Sequence, residues 1–250
     1  MEKISATIIT YNEERNIERC LKSLQGIADE IIIVDSYSND GTKEICQKYN
    51  VHFFEHKFKD YSDQKNFANE LTQNNLILSI DADEELSDTL RKSILEIKKN
   101  HKYDGYYFNR MTNYCGKWIK HSGWYPNHQL RLWDKLKGKW EGTIHEKLTI
   151  PKNNAIHIQG DLLHYSYESF SQHLLKIDQF TNFQALEMYK KHRKAGISAV
   201  IFKPAFRFLR HYFLRLGILD GYEGYIISKQ SAYGQFLKYI KLKHLYKTNN

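Results

Sequence analysis

The sequence has few cysteines and no long hydrophobic run, and each absence excludes a class of protein. Its three cysteines, Cys20, Cys46 and Cys115, are isolated and form no Cys-x-x-Cys spacing. Such a set argues against a disulfide framework and against a cysteine-based zinc site, and it favours a reducing compartment. No stretch approaches the ~20 apolar residues of a membrane-spanning helix, and the chain leads into a strand rather than a signal peptide. We therefore expect a cytoplasmic protein.

Two common phosphate-binding signatures are also missing. The chain contains neither the Gly-x-Gly-x-x-Gly fingerprint of dinucleotide-binding proteins nor the Gly-x-x-x-x-Gly-Lys-Ser/Thr loop of Walker-type NTPases. Both signatures place backbone amides against a phosphate at a helix N-terminus. If this protein binds a nucleotide, it uses a different arrangement.

Short apolar segments alternate with helical patterns over the first hundred residues. The apolar segments are bounded by polar residues, as buried parallel strands are. Between them, apolar residues recur at helical spacing, for example Ile17, Cys20, Leu21 and Leu24. This alternation predicts an α/β fold with a mostly parallel, Rossmann-like sheet flanked by helices and joined by right-handed crossovers. The predicted strands are residues 4–10, 30–35, 51–54 and 76–80, and the helices between them are 15–24, 42–49 and 60–74.

Three of these strands end in acidic or polar residues. Tyr11-Asn12-Glu13 follows the first strand, Asp35 ends the second, and Asp81-Ala82-Asp83 follows the fourth. The carboxyl ends of parallel strands meet at one edge of the sheet, where open α/β sheets bind ligands. Asp81 and Asp83 would point the same way in extended chain, and such carboxylates hold Mg²⁺ together with substrate phosphates. The plainer interpretation, that these acids only cap helices such as the one after Ser87, stays open.

The positive charge of the chain is concentrated towards its C-terminal end. Residues 1–160 contain 23 Lys/Arg and 23 Asp/Glu, whereas residues 161–250 contain 14 and 6, which accounts for the whole net charge of +8. A basic segment of this kind favours an anionic partner such as membrane lipid or nucleic acid. A solvated charged face is the alternative.

A helical pattern within this basic part places apolar and basic residues on neighbouring faces. Phe202, Phe206 and Phe213 share one face, and Arg207 and Arg210 lie beside it. Such a helix is typical of the membrane interface, although a helix packed on the rest of the protein, or one that joins the subunits of an oligomer, also fits. Residues 220–225 predict a flexible break before a last helix over 226–245.

Four blocks of sequence fall at the ends of the predicted strands and in the third helix. They are Thr10-Tyr11-Asn12-Glu13-Glu14, Val34-Asp35-Ser36 with Asp40-Gly41-Thr42, Gln64-Lys65-Asn66, and the DXD motif Asp81-Ala82-Asp83-Glu84. Together they resemble family 2 glycosyltransferases, which have the GT-A fold. A narrower resemblance is to bacterial enzymes that add a sugar such as β-1,4-linked glucose to the inner core of lipopolysaccharide or lipooligosaccharide. It rests on residues 140–146, on residues 162–166 and on the glycine-rich basic tail.

The resemblance implies roles for individual residues. Asp35 would accept a hydrogen bond from the nucleobase, Asp81 would face the ribose, and Asp83 would bind Mg²⁺ or Mn²⁺. Lys65 would lie near the donor, with a solvated helix position as the alternative. His164 would contact the metal or a phosphate, or else be a satisfied core histidine. The pocket for the nucleobase and ribose would be lined by Thr10, Tyr11 and Glu13.

The transfer that this family implies is a single inverting displacement at the anomeric carbon of the donor sugar. It needs a base that removes the proton of the acceptor hydroxyl and a metal that neutralises the leaving diphosphate. By resemblance the base is an Asp or Glu after the central sheet. We predict Glu146, next to His145, with Glu141 as the second choice. Glu146 would otherwise be a surface acid paired with Lys147.

These interpretations combine into one prediction for the whole chain. Residues 1–165 form a catalytic domain, with a nucleotide-sugar half over about 1–100 and an acceptor half over about 101–165, and residues 166–250 form a basic helical extension. The enzyme transfers a sugar, by resemblance glucose, from a UDP-sugar to a lipid-linked lipopolysaccharide core saccharide. It would act as a peripheral protein at the inner face of the cytoplasmic membrane, and an oligomer is compatible with the sequence.

Two alternatives remain. A nucleotidyltransferase that makes the sugar nucleotide would need a glycine-rich, basic loop after the first strand, where this chain has Tyr11-Asn12-Glu13-Glu14. A basic nucleic-acid-binding protein would suit the C-terminal charge. Acidic residues at the predicted ligand edge oppose that second alternative.

Overall fold

A computed structural model describes residues 1–142, 146–151 and 154–248. The chain forms two compact units. The first unit comprises Met1–Arg110 and Asn127–Tyr165, and the second comprises Met111–Pro126 and the chain from Ser166 onward. The assignment of a catalytic domain to residues 1–165 and of an extension to residues 166–250 remains a prediction.

The first unit is built on a mixed sheet whose strand order is β3-β2-β1-β4-β8-β6-β11-β5. Strand β1 is parallel to both β2 and β4, and β2 is parallel to β3, as the alternating pattern predicts. The pairs β4–β8, β8–β6 and β11–β5 are antiparallel, and β9 and β10 form a separate antiparallel pair. The strands are β1 Ile4–Thr10, β2 Glu30–Asp35, β3 His52–Glu55, β4 Leu76–Asp81, β5 Glu84–Leu86, β6 Gly105–Tyr114, β7 Lys117–Ile119, β8 Asn127–Asp134, β9 Lys139–Glu141, β10 Lys147–Thr149 and β11 Ala155–Tyr167.

Four helices of the first unit connect these strands, and side chains cap two of them. Asp60 accepts a hydrogen bond from the backbone N–H of Asp63 at the start of α3. Ser87 likewise accepts one from Leu90 at the start of α4. Because Ser87 caps α4, Asp81 and Asp83 are not needed for that purpose. The helices are α1 Ile17–Leu24, α2 Thr42–Cys46, α3 Tyr61–Glu70 and α4 Asp88–Lys99.

The largest buried apolar cluster described in the first unit lies between the sheet and helices α1 and α4, and a smaller one joins β2 to α3. Apolar residues of β1 and β4 pack with Leu21 and Ile94 in one buried cluster. At Gly160, φ is +102°, and a Cβ atom would lie 2.3 Å from the backbone nitrogen of Leu90. Only glycine therefore permits β11 to approach α4 so closely, and this approach fixes the strand that carries His164.

The second unit is mainly helical. Strand β7 pairs with the end of β6, and a π-helical turn over Arg210–Leu214 and a 3₁₀ turn over Gly217–Asp220 precede the last helix. None of the described helices is both long enough and apolar enough to cross a bilayer. The helices are α5 Phe170–Lys190, α6 Ile197–Leu209 and α7 Gly221–Thr248.

The prediction of a flexible break over 220–225 is wrong, because α7 already begins at Gly221. A Cβ atom on Gly224 would lie 1.8 Å from the carbonyl oxygen of Gly217 and 2.9 Å from Cβ of Asp220. The glycine therefore serves close packing between the 3₁₀ turn and the first turn of α7. From sequence alone, a glycine that loosens a chain and one that admits a neighbour look the same.

Candidate active site

A cavity of about 690 Å³ opens at the carboxyl ends of β1, β2 and β4. All of its lining residues belong to the first unit. Eight of the nine predicted site residues line it, and their roles remain predictions. They are Thr10, Tyr11, Glu13, Lys65, Asp81, Asp83, Glu146 and His164.

Asp83 and His164 face each other in this cavity. The distance between Asp83 Oδ2 and His164 Nε2 is 3.1 Å. Pairing of β11 with β5 sets His164 opposite Glu84, and the N–H of Tyr165 donates to the carbonyl of Asp83 at 2.9 Å. The Nδ1 atom of His164 is buried and has no hydrogen-bond partner among the described residues. A carboxylate and an imidazole are thus held together in the wall of the cavity.

Asp81 has different neighbours from Asp83. Strand β4 ends at Asp81, and a turn follows at Ala82 and Asp83, so the extended geometry expected for the two acids does not hold. The Asp81 Oδ2 atom lies 2.5 Å from Nη2 of Arg131, and Oδ1 lies 3.3 Å from Nζ of Lys65. The turn separates the surroundings of the two carboxylates, although both line the cavity.

Arg131 is a buried charge that bridges two acids. Its Nη2 atom lies 2.7 Å from Glu84 Oε1 as well as 2.5 Å from Asp81 Oδ2. Burial raises the pKa of the Asp81 carboxyl, but the Arg131 guanidinium and the Lys65 ammonium outweigh burial and hold that pKa well below its usual range. Burial lowers the pKa of Arg131, and the two carboxylates more than reverse this change. Asp81 is therefore a fixed anion at neutral pH.

Lys65 joins Asp81 to Glu146. It is buried in α3, and its Nζ atom lies 3.1 Å from Glu146 Oε1. The same ammonium lies 4.5 Å from the centroid of the Trp140 ring, at a distance where cation–π attraction operates. The alternative of a solvated helix position for Lys65 does not hold, because its charge is enclosed by two carboxylates and an indole.

Helix α3 also anchors the segment that precedes Glu146. Asn66 exchanges two hydrogen bonds with the backbone of Trp140, at 2.9 and 3.0 Å. The Ser62 hydroxyl donates to the carbonyl of Gly142. These contacts bring the chain after β9 to the cavity. Thr143, Ile144 and His145, which belong to the same sequence block, lie outside the described residues.

Glu141, the second choice for the base, does not line the cavity. Its carboxylate is exposed and accepts a hydrogen bond from Thr149 at 3.0 Å. It also lies 3.2 Å from Nζ of Lys139. The hydrogen bond from Thr149, followed by the contact with Lys139, lowers the pKa of Glu141. Of the two predicted bases, Glu146 lines the cavity and Glu141 does not.

Asp35 is the predicted site residue that does not line the cavity. It is buried, and its carboxylate accepts hydrogen bonds from the hydroxyls of Thr10 and Ser38 and from the N–H of Ser38, at 2.6 to 2.8 Å. The hydroxyl of Ser38 also accepts a hydrogen bond from the N–H of Asn12. In this structure the carboxylate joins the loops that follow β1 and β2.

Further contacts join the same two loops. The N–H of Glu13 donates to the hydroxyl of Thr42 at 2.8 Å, and the N–H of Gly41 donates to Glu14 at 2.9 Å. The side chain of Glu13 accepts a hydrogen bond from Asn16. The loops are thus braced against each other.

Sequence reasoning missed several lining residues. Tyr37, Lys57, Phe58 and Tyr61 all line the cavity, and the three aromatic residues are 45 to 58% exposed. They lie in loops or at a helix start, where no periodic pattern distinguishes them. Arg131 carried no such signal either, because side chains alternate between the two faces of a strand and an arginine between Leu130 and Leu132 is also the pattern of a solvent-facing charge.

Comparisons with known proteins identify relatives of this chain. Residues 5–158 match the family described as Glycosyl transferase family 2. A glycosyltransferase of Rickettsia felis is 32% identical over 263 residues, which cover 100% of this chain and 93% of that protein. The lipopolysaccharide core biosynthesis glycosyltransferase LpsC of Rhizobium meliloti is 30% identical over 249 residues, or 96% of this chain and 91% of the relative.

Two solved structures share the fold at low sequence identity. The mannosyltransferase PcManGT of Pyrobaculum calidifontis, in complex with GDP-Man and Mn²⁺, superposes with a TM-score of 0.55 at 13% identity, over 96% of this chain and 87% of that one. TarS 1-349 of S. aureus, in complex with UDP-GlcNAc, gives a TM-score of 0.51 at 14% identity, over 99% and 92%. These likenesses confirm the predicted GT-A fold.

Proposed function

The chain belongs to glycosyl transferase family 2, and on that basis we propose that it is a metal-dependent, inverting transferase that moves a hexose from a nucleotide diphosphate sugar to a lipopolysaccharide core saccharide. One observation carries the proposal: a single cavity gathers the pair Asp83–His164 and the pair Glu146–Lys65. The first pair suits a diphosphate and its metal, and the second suits removal of a proton. Family membership also favours a transferase over a nucleotidyltransferase or a nucleic-acid-binding protein.

The donor proposed is a UDP-sugar, with glucose as the sugar by resemblance. The exposed rings of Tyr11 and Tyr37 line the cavity and offer faces on which a base stacks. The UDP-GlcNAc complex of TarS supports a uridine nucleotide, and the GDP-Man complex of PcManGT shows that a relative in fold takes another. Thr10 and Asp35, which are buried and hydrogen-bonded to each other, would act by holding the loops that surround the base.

The residues at the cavity fit a divalent cation that the substrate helps to hold. Asp83 offers carboxylate oxygens and His164 a ring nitrogen. Within the described parts of the chain, no group of three or more His, Cys, Asp or Glu side chains is placed to bind a metal unaided. Two protein ligands suit Mg²⁺ or Mn²⁺, because diphosphate oxygens and water would fill the remaining coordination positions. When bound, such an ion neutralises the negative charge of the leaving diphosphate.

Glu146 is the proposed base. Its carboxylate takes the proton of the acceptor hydroxyl while the hydroxyl oxygen forms a bond to the anomeric carbon. The bond from that carbon to the diphosphate oxygen breaks, and its electron pair leaves with the diphosphate. Because the two bonds lie on opposite faces of the sugar, the configuration is inverted. Lys65 holds the carboxylate in the cavity through the 3.1 Å contact.

The acceptor proposed is a core saccharide carried on lipid. The relationship to LpsC, at 30% identity over nearly the whole of both chains, supports this class of acceptor. Such an acceptor is reached at the inner face of the cytoplasmic membrane, so we propose a peripheral enzyme. The excess of 14 basic over 6 acidic residues after position 160 is consistent with an anionic surface as partner.

Calorimetric binding of UDP, ADP and GDP, each with and without Mn²⁺ or Mg²⁺, tests the donor and the metal together. We expect UDP to bind in a metal-dependent manner and Asp83→Asn to weaken the metal dependence. If GDP or ADP binds more tightly than UDP, the proposed donor nucleotide changes and the transferase proposal stands. A folded protein that binds none of the three nucleotides would overturn the assignment of the cavity.

A further inference from the structure

Helix α6 and the turn after it expose a row of large apolar side chains. None of the thirteen residues of α6 is buried. Steps of four, three and four residues separate the exposed members Phe202, Phe206, Leu209 and Phe213, so these side chains share one face. We call this face, together with the apolar residues exposed just beyond it, the α6 surface. Those further residues are Leu214, Leu216, Ile218 and Leu219.

An exposed apolar surface of this kind marks a site of interaction. The remaining face of α6 already has partners, since Ala199 and Val200 pack against a buried cluster that includes Tyr239 and Leu242 of α7. The helix therefore presents one face to its own unit and leaves the phenylalanines in water. The chemistry around that free face indicates what covers it.

The segment that contains the α6 surface carries only positive charge. No Asp or Glu occurs between Glu187 and Asp220. Asp220 itself is buried and accepts hydrogen bonds from the N–H groups of Lys120 and His121. Eight basic residues lie between the two acids: Lys190, Lys191, Arg193, Lys194, Lys203, Arg207, Arg210 and Arg215.

Three of these arginines are crowded together without an acid. Arg207 is half-buried, and burial, followed by the nearby charges of Arg215 and Arg210, lowers its pKa. Among the residues that the structure describes, Nε of Arg207 has no hydrogen-bond partner, and no carboxylate forms an ion pair with any of the three arginines. Like charges held in this way repel one another, and a bound anion relieves the repulsion.

We propose that the α6 surface docks on a bilayer that contains anionic phospholipid. Phe202, Phe206 and Phe213 enter the boundary between head groups and acyl chains, as the apolar face of an interfacial helix does. Arg207, Arg210 and Arg215 meet the phosphates of the head groups. This inference rests on the proposed function for its purpose, because a lipid-linked acceptor is what brings the enzyme to a membrane.

A second copy of the chain is a less suitable occupant. In a two-fold symmetric contact the same patch lies on both subunits. Pairing two α6 surfaces would bring Arg207, Arg210 and Arg215 of one copy towards those of the other, with no acid between Glu187 and Asp220 to compensate. The apolar contacts would then work against charge repulsion, whereas an anionic bilayer favours both the rings and the arginines.

Cosedimentation of the full-length protein with vesicles tests the proposal in the absence of donor and acceptor. One vesicle preparation is phosphatidylcholine alone, and the other contains phosphatidylglycerol in addition. We expect salt-sensitive binding to the anionic vesicles. The combined change Phe202→Ser, Phe206→Ser and Phe213→Ser should reduce that binding by about tenfold or more. Arg210→Gln should reduce it about fivefold on anionic vesicles and leave binding to neutral vesicles unchanged.

The matched control is Phe180→Ser with Phe183→Ser. These phenylalanines of α5 are as exposed as Phe206, at 53% and 55% against 61%, but they lie on a helix that also carries Asp178 and Glu187. The control should bind vesicles as the wild type does. Circular dichroism and metal-dependent UDP binding, recorded for every variant, keep a failure of folding or of the proposed donor site distinct from a failure of docking.

Several outcomes would overturn the inference. A folded wild-type protein that ignores anionic vesicles would do so, as would serine variants that bind as tightly as the wild type. Equal losses in the α5 control would show that the surface has no special role. A wild-type dimer that becomes monomeric in the serine variant, with no vesicle binding in either, would assign the α6 surface to a second copy.

Discussion

Lys65 and Glu146, separated by 81 positions in the chain, form an ion pair of 3.1 Å in the wall of the cavity. The same ammonium lies 3.3 Å from Asp81. One buried cation therefore links the strand end that carries the DXD motif to the predicted base. The geometry of the base depends on α3 as well as on its own segment.

Loss of the Lys65 ammonium should destabilise the protein. In Lys65→Met the Asp81 and Glu146 carboxylates lose a shared cation in a buried setting, and we expect the free energy of unfolding to fall by about 3 kcal/mol. Urea unfolding measures the change. The matched control is Lys43→Met, which removes an exposed ion pair with Glu55 of 2.8 Å. Its effect should be much smaller, because water screens an exposed ion pair, and equal losses in the two variants would contradict the role given to Lys65.

Replacement of Glu146 should separate chemistry from donor binding. Glu146→Gln keeps the shape of the side chain but cannot take a proton, so we expect kcat to fall by about 10² to 10⁴ while UDP binding changes little. The control is Glu141→Gln, since Glu141 is exposed and pairs with Lys139 outside the cavity lining. If Glu141→Gln proved the slower enzyme, the base would have to be reassigned.

Replacement of Asp83 should act through the metal. We expect Asp83→Asn to reduce the affinity for UDP in the presence of Mn²⁺ and to leave the weaker metal-free binding unchanged, because a neutral amide is a poorer ligand for a hard cation. His164→Gln should give a smaller loss of the same kind. Asp134→Asn serves as the control, since Asp134 does not line the cavity. Calorimetric titrations of UDP with and without Mn²⁺ supply all three comparisons.

Two buried histidines of the second unit should make stability fall in acid. Burial lowers the pKa of His173 to about 4, with a smaller effect from Lys176. Burial, then Arg207 and Arg215, lowers the pKa of His211 to about 4. A backbone hydrogen bond with Ser122 raises this pKa by a smaller amount, and Arg210 lowers it slightly. An unfolded histidine titrates near pH 6.5. Between about pH 6.5 and 4 the unfolded chain therefore binds more protons than the folded one, and the free energy of unfolding decreases as the pH falls.

The size of this effect is about 2 to 3 kcal/mol for each histidine. Urea unfolding at pH 7 and at pH 4.5 measures this effect. The variant His173→Gln separates the contributions of the two histidines. Its amide can still form a hydrogen bond with the hydroxyl of Tyr114, which lies 3.0 Å from His173 Nδ1 in the wild type. The difference in stability between the two pH values should be smaller in this variant. An unchanged difference would show that His173 does not titrate in this range.

The sequence predicted the parallel half of the sheet well, because its signal is local. Strands β1, β2 and β4 are short apolar runs, and the buried face of α1 follows helical spacing. The antiparallel half depends on pairings between distant strands, such as Leu78 with Leu132. No pattern within a single strand indicates which other strand it pairs with, so the antiparallel half of the sheet could not be predicted from the sequence.

The sequence predicted which residues line the candidate site but not which of them contact one another. Motif residues such as Tyr11, Asp83 and His164 do line one cavity. Their partners could not be foreseen, since Arg131 reaches Asp81 across 50 positions and Lys65 reaches Glu146 across 81. The orientation of Asp83 was also misjudged, because β4 ends at Asp81 and the chain turns there. Contacts between side chains on different strands are set by packing, which a single sequence does not display.

The triad of Asp81, Arg131 and Glu84 limits how this enzyme can be redesigned. If any one of these three side chains is removed, the remaining charges lose a partner in the protein interior. The rings of Tyr37, Phe58 and Tyr61 line the same cavity from exposed positions without that constraint. A library aimed at a new donor nucleotide should therefore vary those three aromatic positions and leave the buried charges as a unit.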